Sequence, residues 1–167
     1  TTTANLSWLS NGSNAHWEVE LVQAGNPVTG SGIFTSFNPY NATGLNMGTT
    51  YSFYVREICS PGDTSDWVGP VNFTTTCGTY IAPYLQSFNQ LSRPPCWAQS
   101  GFYTWRYNTF ADYGAAVAGD HTGNGGNYAW MDGSFNLNGT VSTLTSPLVD
   151  ISPLTTPALR YYIFSNN

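Results

Sequence analysis

The chain has 167 residues, of which 41% are hydrophobic and 16% aromatic, which is ample for one or two domains with apolar cores. Only 8% of the residues are charged, and four arginines, with no lysine, face nine carboxylates for a formal net charge of −5. This balance argues against a nucleic-acid-binding protein, which needs a basic face to release counterions, and it disfavours anionic membrane surfaces. No apolar run approaches the ~20 residues of a transmembrane helix, so membrane insertion is not expected.

The first part of the chain carries strand and turn patterns. Residues 4–8, 17–21 and 71–75 alternate inward and outward residues, which predicts β-strands. The run Leu45-Asn46-Met47-Gly48-Thr49-Thr50-Tyr51 predicts a turn that leads a buried tyrosine into a further strand. In such a corner the Tyr51 ring packs in the core, and its hydroxyl bonds to backbone a few residues upstream.

These features, in this order and spacing, resemble a fibronectin type III domain, with Met47 where that family commonly has proline. The resemblance covers residues 1–76 and implies an Ig-like sandwich that begins after strand A. Trp8 and Trp17 are expected to point into its core.

A second all-β region begins at Cys77 and resembles the N-terminal half of a MAM domain, a jelly-roll sandwich whose bacterial relatives include cleaved-adhesin modules. The motifs that carry this resemblance are Pro95-Cys96-Trp97, Gly119-Asp120-His121-Thr122, Gly126-Asn127-Tyr128-Ala129-Trp130 and Leu144-Thr145-Ser146-Pro147-Leu148. Residues 77–167 are too few for a whole domain of that family. Leu159–Phe164 is expected to be a buried strand, with Tyr161 and Phe164 inward, that more chain or a partner must complete.

The three cysteines indicate an oxidising, extracellular setting. Cys59 and Cys77 should not bond, because they are expected at opposite ends of a hairpin, roughly 25 Å apart at ~3.3 Å per residue. The MAM resemblance implies a disulfide between Cys77 and Cys96, which leaves Cys59 free or paired outside this chain.

Calcium is the one cofactor that the sequence suggests. Jelly rolls of the resembling kind often hold a structural calcium ion, and this implies Asn89, Asp120 and Thr122 as oxygen ligands, with Asn89 where the family has a carboxylate. The alternative is that Asp120 caps a turn with its side chain.

Most of the 26 aromatic residues are expected in the cores. Trp67, at a hairpin, and Tyr103 and Trp105, in alternation, are candidates for exposed, ligand-facing aromatics that could stack on sugar rings. The competing interpretation is that Tyr103 and Trp105 line one inward face of a strand.

Catalysis has little support, because the chain lacks a Gly-x-Ser-x-Gly elbow, a His-Glu-x-x-His helix and a Gly-rich phosphate loop. The sequence therefore predicts a non-catalytic adhesion, binding or spacer region of a larger secreted or surface-anchored protein, similar to bacterial adhesins exported by type IX secretion. Expected partners are a protein or polysaccharide ligand, further domains of the same chain and a secretion machinery. The alternative is an accessory carbohydrate- or substrate-binding module of a secreted protease or glycosidase.

Overall fold

The structure is a computed structural model that describes residues 1–12, 16–111, 120–122, 125–133 and 139–164, so that Gly119 of the second MAM-like motif lies outside the described residues. The described residues contain strands and no helix, which confirms the all-β prediction. The chain divides into two compact units, Thr1–Cys77 and Gly78–Asn167.

Seven strands build the first unit. They are β1 (Ala4–Leu6), β2 (Trp17–Gln23), β3 (Ile33–Thr35), β4 (Tyr40–Ala42), β5 (Thr50–Ser60), β6 (Asp63–Thr64) and β7 (Val68–Thr74). Strands β1 and β4 pair antiparallel as one sheet, and the other sheet has the order β3-β2-β5, with β6 and β7 both pairing with β5. The strands predicted around residues 4–8, 17–21 and 71–75 correspond to β1, β2 and β7.

The core of the first unit lies against strand β5, whose aromatic and β-branched residues suit a half-buried pleated surface. Tyr51, Phe53 and Val55 are buried on β5, and Trp17 and Val19 are buried on the neighbouring strand β2, where Val19 lies opposite Val55. Eight further residues complete or flank this core: Leu6, Ala42, Leu45, Ala4, Trp8, Leu21, Tyr40 and Phe73.

The turn before β5 contains the hydrogen bond that the corner motif predicts. The Tyr51 ring is only 8% exposed and stacks on Phe73, with ring centroids 5.9 Å apart. Its hydroxyl accepts a hydrogen bond from the Asn46 backbone N–H at 2.9 Å. The ring therefore anchors the turn to the core while the hydroxyl fixes the backbone of the turn.

A buried carboxylate holds the loop between β2 and β3. Glu20 is 6% exposed, and its two oxygens accept hydrogen bonds from the N–H groups of Thr29 at 2.6 Å and Gly30 at 3.0 Å. Burial raises the pKa of Glu20, but the bonds from Thr29, Gly30 and Ser31 together outweigh it and leave the pKa below its usual value.

Six short strands build the second unit. They are β8 (Tyr80–Ile81), β9 (Ala98–Gly101), β10 (Arg106–Asn108), β11 (Tyr128–Trp130), β12 (Ser142–Thr145) and β13 (Val149–Asp150). They form three two-stranded ladders: β9 with β12 and β10 with β11 are antiparallel, and β8 with β13 is parallel.

A disulfide joins Cys77 to Cys96, which confirms the predicted pair. Cys59 is a free, exposed thiol at the end of β5. Within the second unit, side-chain hydrogen bonds supplement the short ladders: Trp97 Nε1 donates to the Tyr84 hydroxyl at 2.9 Å, and Trp130 Nε1 donates to Asn108 Oδ1 at 2.6 Å.

The prediction of a buried strand over Leu159–Phe164 is wrong. These residues form no strand, and Leu159 and Ile163 are 87% and 83% exposed. Tyr161 and Phe164, expected inward, are exposed as well. The physical reason is that apolar and aromatic residues favour a strand only where a neighbouring strand pairs with it, and among the described residues none pairs here.

Replacing Tyr51 by Phe should lower the free energy of unfolding of the first unit by about 1 kcal/mol, because the Asn46 N–H loses its acceptor. Tyr54→Phe is the matched control, since it lies on the same strand and its hydroxyl has no partner among the described residues. Hydrogen exchange of β5 amides under denaturant would measure both. Equal stability of the two variants would contradict the claim that the bond between Asn46 and the Tyr51 hydroxyl stabilises the first unit.

Replacing Glu20 by Gln should make the first unit less sensitive to acid. Because the pKa of Glu20 is lower in the folded than in the unfolded chain, its stabilisation is complete above the unfolded pKa and is lost as the pH falls through the folded pKa. At neutral pH, Glu20→Gln should lower the free energy of unfolding by roughly 1–3 kcal/mol. As the pH is lowered below about 4.5, the denaturation midpoint of the variant should fall less than that of the parent. Asp66→Asn serves as the control, since it makes the same acid-to-amide kind of change at an exposed position.

Candidate functional site

The structure brings together the residues that the sequence proposed for calcium. Asp120 and Thr122 lie in one turn, and Asn89 lies in the segment between β8 and β9. A Cβ atom built on Gly126 would lie 2.8 Å from Asp120 Oδ2 and 3.3 Å from Asn89 Oδ1. Two side-chain oxygens from distant parts of the sequence therefore face the same small space.

Asp120 uses its two carboxylate oxygens differently. Oδ1 accepts hydrogen bonds from the Thr122 backbone N–H at 3.0 Å and from Thr122 Oγ1 at 2.5 Å, which is the turn cap that the sequence analysis held as the alternative. Oδ2 faces Gly126 and Asn89. Asp120 can therefore cap the turn through Oδ1 and still present Oδ2 to the space near Gly126.

The turn that presents Asn89 is fixed by packing. The preceding residue, Phe88, has φ of 56°, in the left-handed region that non-glycine residues rarely adopt. Its ring packs edge-on against Trp97, with centroids 4.9 Å apart, and stacks against Tyr107 at 6.2 Å. The Asn89 carbonyl also accepts a hydrogen bond from Asn127 Nδ2 at 2.6 Å, so Asn89 is held from both sides.

Gly126 and Asn127 are the members of this site that the sequence analysis did not single out as ligands or supports. Both belong to the Gly-Asn-Tyr-Ala-Trp motif, which served only as a family landmark. The signal was the glycine itself, because any larger side chain at 126 would enter the space between the Asp120 and Asn89 oxygens.

The donor set fits calcium. Calcium binds carboxylate, amide and hydroxyl oxygens, and Asp120, Asn89 and Thr122 supply these types. Zinc takes sulfur, imidazole and carboxylate ligands, and the part of the chain that the structure describes has no group of three or more His, Cys, Asp and Glu side chains.

Trp67, expected as an exposed aromatic, packs instead on the outer face of the sheet. The Arg56 guanidinium lies 4.6 Å from its ring centroid and forms an ion pair with Glu18 at 2.6 Å. The ring edge lies so close to Gly32 that an added Cβ would be 2.6 Å from Cη2. Trp67 is therefore half-buried, because it stacks on the arginine rather than facing solvent alone.

Tyr103 and Trp105 are half-buried as well. Their polar atoms, the Tyr103 hydroxyl and Trp105 Nε1, are shielded from solvent and have no hydrogen-bond partner among the described residues. The Tyr103 N–H donates to Ser142 Oγ at 2.8 Å, which ties this segment to β12. Tyr103 and Trp105 are thus neither freely exposed nor fully buried, and their role as ligand-facing aromatics stays a prediction.

Trp105 lines a groove in the second unit that the sequence did not reveal. The groove has a volume of about 490 Å³. Its walls carry Arg93, Gln99, Trp105, Arg106, Tyr107 and Asn108, and Leu91 and Ser92 complete it. We call these eight residues the arginine groove. No sequence motif marks it, because its members come from the loop before β9, from β9, from the connection after β9 and from β10.

No protein-family model, curated protein or solved structure matches the chain. None of the described residues forms a helix with the length and apolar character that crossing a bilayer requires.

Proposed function

We propose that the chain is an extracellular adhesion, binding or spacer region of a larger secreted or surface-anchored protein, without catalytic activity of its own. The observation that carries this proposal is the Cys77–Cys96 disulfide in an all-β chain. Disulfides persist in oxidising compartments and are rare in reducing ones, so this bond supports an extracellular location.

The first unit supports the same proposal. Its two sheets and the Tyr51 corner bond agree with a type III sandwich, a class of module that presents loops and strand faces to partners. Export by a type IX secretion system, a bacterial origin and further domains in the same chain remain inferences from the family resemblance. A protein or polysaccharide is the expected partner.

A second candidate function is an accessory carbohydrate- or substrate-binding module of a secreted protease or glycosidase. The arginine groove favours it, since it combines an aromatic side chain with amide and guanidinium groups. In this version the catalytic domain lies outside the chain.

We also propose that Asp120, Asn89 and Thr122 hold a structural calcium ion. A bound ion would link the segment before β9 to the turn at 120–122, and it would neutralise the Asp120 charge facing the Asn89 oxygen. The ion would stabilise the second unit and would have no catalytic part.

Beads coated with the full chain should be retained under flow on surfaces carrying a polysaccharide such as pectin or chitin, or a matrix protein such as collagen. The Cys77→Ser/Cys96→Ser double variant is the control, because it lacks the cross-link and should weaken binding that depends on a folded second unit. Background retention on every surface, or hydrolysis of peptide or glycan substrates by the chain alone, would contradict the proposal.

Calcium should raise the unfolding temperature of the second unit, and Gly126→Ala should abolish this shift because the added methyl occupies the space between the ligand oxygens. Stabilisation at a calcium concentration of 100 times Kd should be about 2.7 kcal/mol. Gly133→Ala is the matched control, since nothing lies within 4 Å of its added Cβ.

Thermal unfolding with calcium, with magnesium and with EDTA would measure the effect in the parent, both glycine variants and Asp120→Asn. Equal calcium shifts in Gly126→Ala and Gly133→Ala would show that the ion binds elsewhere. No shift in the parent would exclude this site.

A further inference from the structure

The exposed run Leu159–Phe164, which we call the apolar segment, has one specific contact with the rest of the second unit. The Tyr162 ring stacks on the His121 ring, with centroids 3.6 Å apart and ring planes inclined by 15°. Among the described residues, this stack is the only hydrogen bond, ion pair or ring contact that the apolar segment makes, and no strand pairs with it. The position of the segment therefore depends strongly on where the His121 ring lies.

His121 is the central residue of the turn that carries two of the proposed calcium ligands. Asp120 precedes it and Thr122 follows it. Asp120 Oδ1 accepts hydrogen bonds from the Thr122 N–H at 3.0 Å and from Thr122 Oγ1 at 2.5 Å, so the two neighbours of His121 are joined across it. The backbone that presents the His121 ring is thus held by the same two residues that are proposed to hold the ion.

The third proposed ligand gives the position of this turn a dependence on charge. Asp120 Oδ2 and Asn89 Oδ1 face the same space beside Gly126. Two negatively polarised oxygens repel each other, whereas a cation between them attracts both. A cation at this place therefore draws the turn toward the segment before β9, and its loss leaves the turn less firmly held.

A close ring stack is sensitive to such a change. At a centroid distance of 3.6 Å the His121 and Tyr162 rings overlap face to face. Dispersion attraction falls steeply with separation, and a gap of about 0.5–1 Å already removes a quarter to a half of it. A small displacement of the turn is therefore enough to weaken the contact that holds the apolar segment.

We propose that calcium bound by Asn89, Asp120 and Thr122 holds the apolar segment against the second unit through the His121–Tyr162 stack. The turn positions the His121 ring, the ring retains Tyr162, and the ion limits the motion of the turn. This inference rests on the proposed calcium site and adds a regulatory effect to it. Five of the six residues of the segment are apolar or aromatic, so the ion controls how an apolar surface is presented to solvent.

Linkage makes this coupling measurable at the calcium site. If calcium strengthens the docking of the apolar segment by some factor, the docked segment strengthens calcium binding by the same factor. The contribution of an aromatic pair corresponds to about a twofold to tenfold change in an equilibrium constant. Loss of the Tyr162 ring should therefore lower the calcium affinity by about this factor, although every ligand is still present.

Calorimetric titration of calcium chloride into the calcium-free full chain measures this loss. Tyr162→Ala should bind calcium about twofold to tenfold more weakly than the parent. Tyr161→Ala is the matched control and should bind like the parent, because it removes the same side chain from the next position, where the ring is exposed and makes no ring contact among the described residues. His121→Phe keeps an aromatic ring on the turn and should retain more affinity than His121→Ala.

NMR relaxation measures the position of the apolar segment independently of affinity. In the parent, calcium should raise the ¹⁵N heteronuclear NOE of the amides at 159–164 above the values measured in EDTA. Gly126→Ala should abolish this rise because its methyl group fills the space between the ligand oxygens, and Gly133→Ala should behave like the parent. Tyr162→Ala should abolish the rise even at calcium concentrations that saturate the site.

Three results would overturn the coupling: equal calcium affinity of Tyr162→Ala and Tyr161→Ala, NOE values at 159–164 that calcium leaves unchanged in the parent, or equal losses of affinity in His121→Phe and His121→Ala. Failure of the coupling is distinguishable from failure of the calcium site. If the parent binds calcium, Gly126→Ala does not, and Tyr162→Ala binds like the parent, only the coupling fails. If the parent binds no calcium, the site and the coupling fail together.

Discussion

The hydrogen bonding of Asn46 is the constraint on which the first unit depends. Its N–H donates to the buried Tyr51 hydroxyl at 2.9 Å, and its carbonyl accepts from the Thr75 hydroxyl at 2.6 Å. Thr75 is only 4% exposed and follows directly after β7. One turn residue is thereby tied to both the start of β5 and the end of β7, which sets the register of the strand that pairs with β2, β6 and β7.

The second unit reaches its structure by different means. Its strands have four residues or fewer, so backbone ladders contribute less than in the first unit, where β5 alone has eleven. The indole hydrogen bonds of Trp97 and Trp130 supply connections that long strands would otherwise give. The calcium candidate consequently lies on segments held by side chains, whereas the arginine groove combines a loop with the short strands β9 and β10.

The sequence predicts what is encoded locally. Strand alternation and the Leu45 to Tyr51 run were enough to predict β1, β2, β5 and β7 of the first unit, because neighbouring residues determine both, whereas β3, β4 and β6 were not predicted. Leu159–Phe164 was mispredicted because apolar character does not specify which strand will pair with it. The packing of Trp67 on Arg56 was not predicted, because the arginine comes from another part of the sequence. The arginine groove could not be predicted either, since its residues meet only through the packing of the loop before β9 against β10.

The calcium candidate was predicted only in part from the sequence, and Gly126 is the residue that the prediction lacked. The sequence proposed Asn89, Asp120 and Thr122 from resemblance alone, and it could not show that Asn89, some 30 positions before Asp120, shares a space with it. In the structure, Gly126 lies next to both side chains, and its missing side chain leaves room between Asp120 Oδ2 and Asn89 Oδ1. Gly126 has no side-chain ligand atom, but it is as necessary to the calcium candidate as the ligands are, because the space between the Asp120 and Asn89 oxygens exists only while position 126 lacks a side chain.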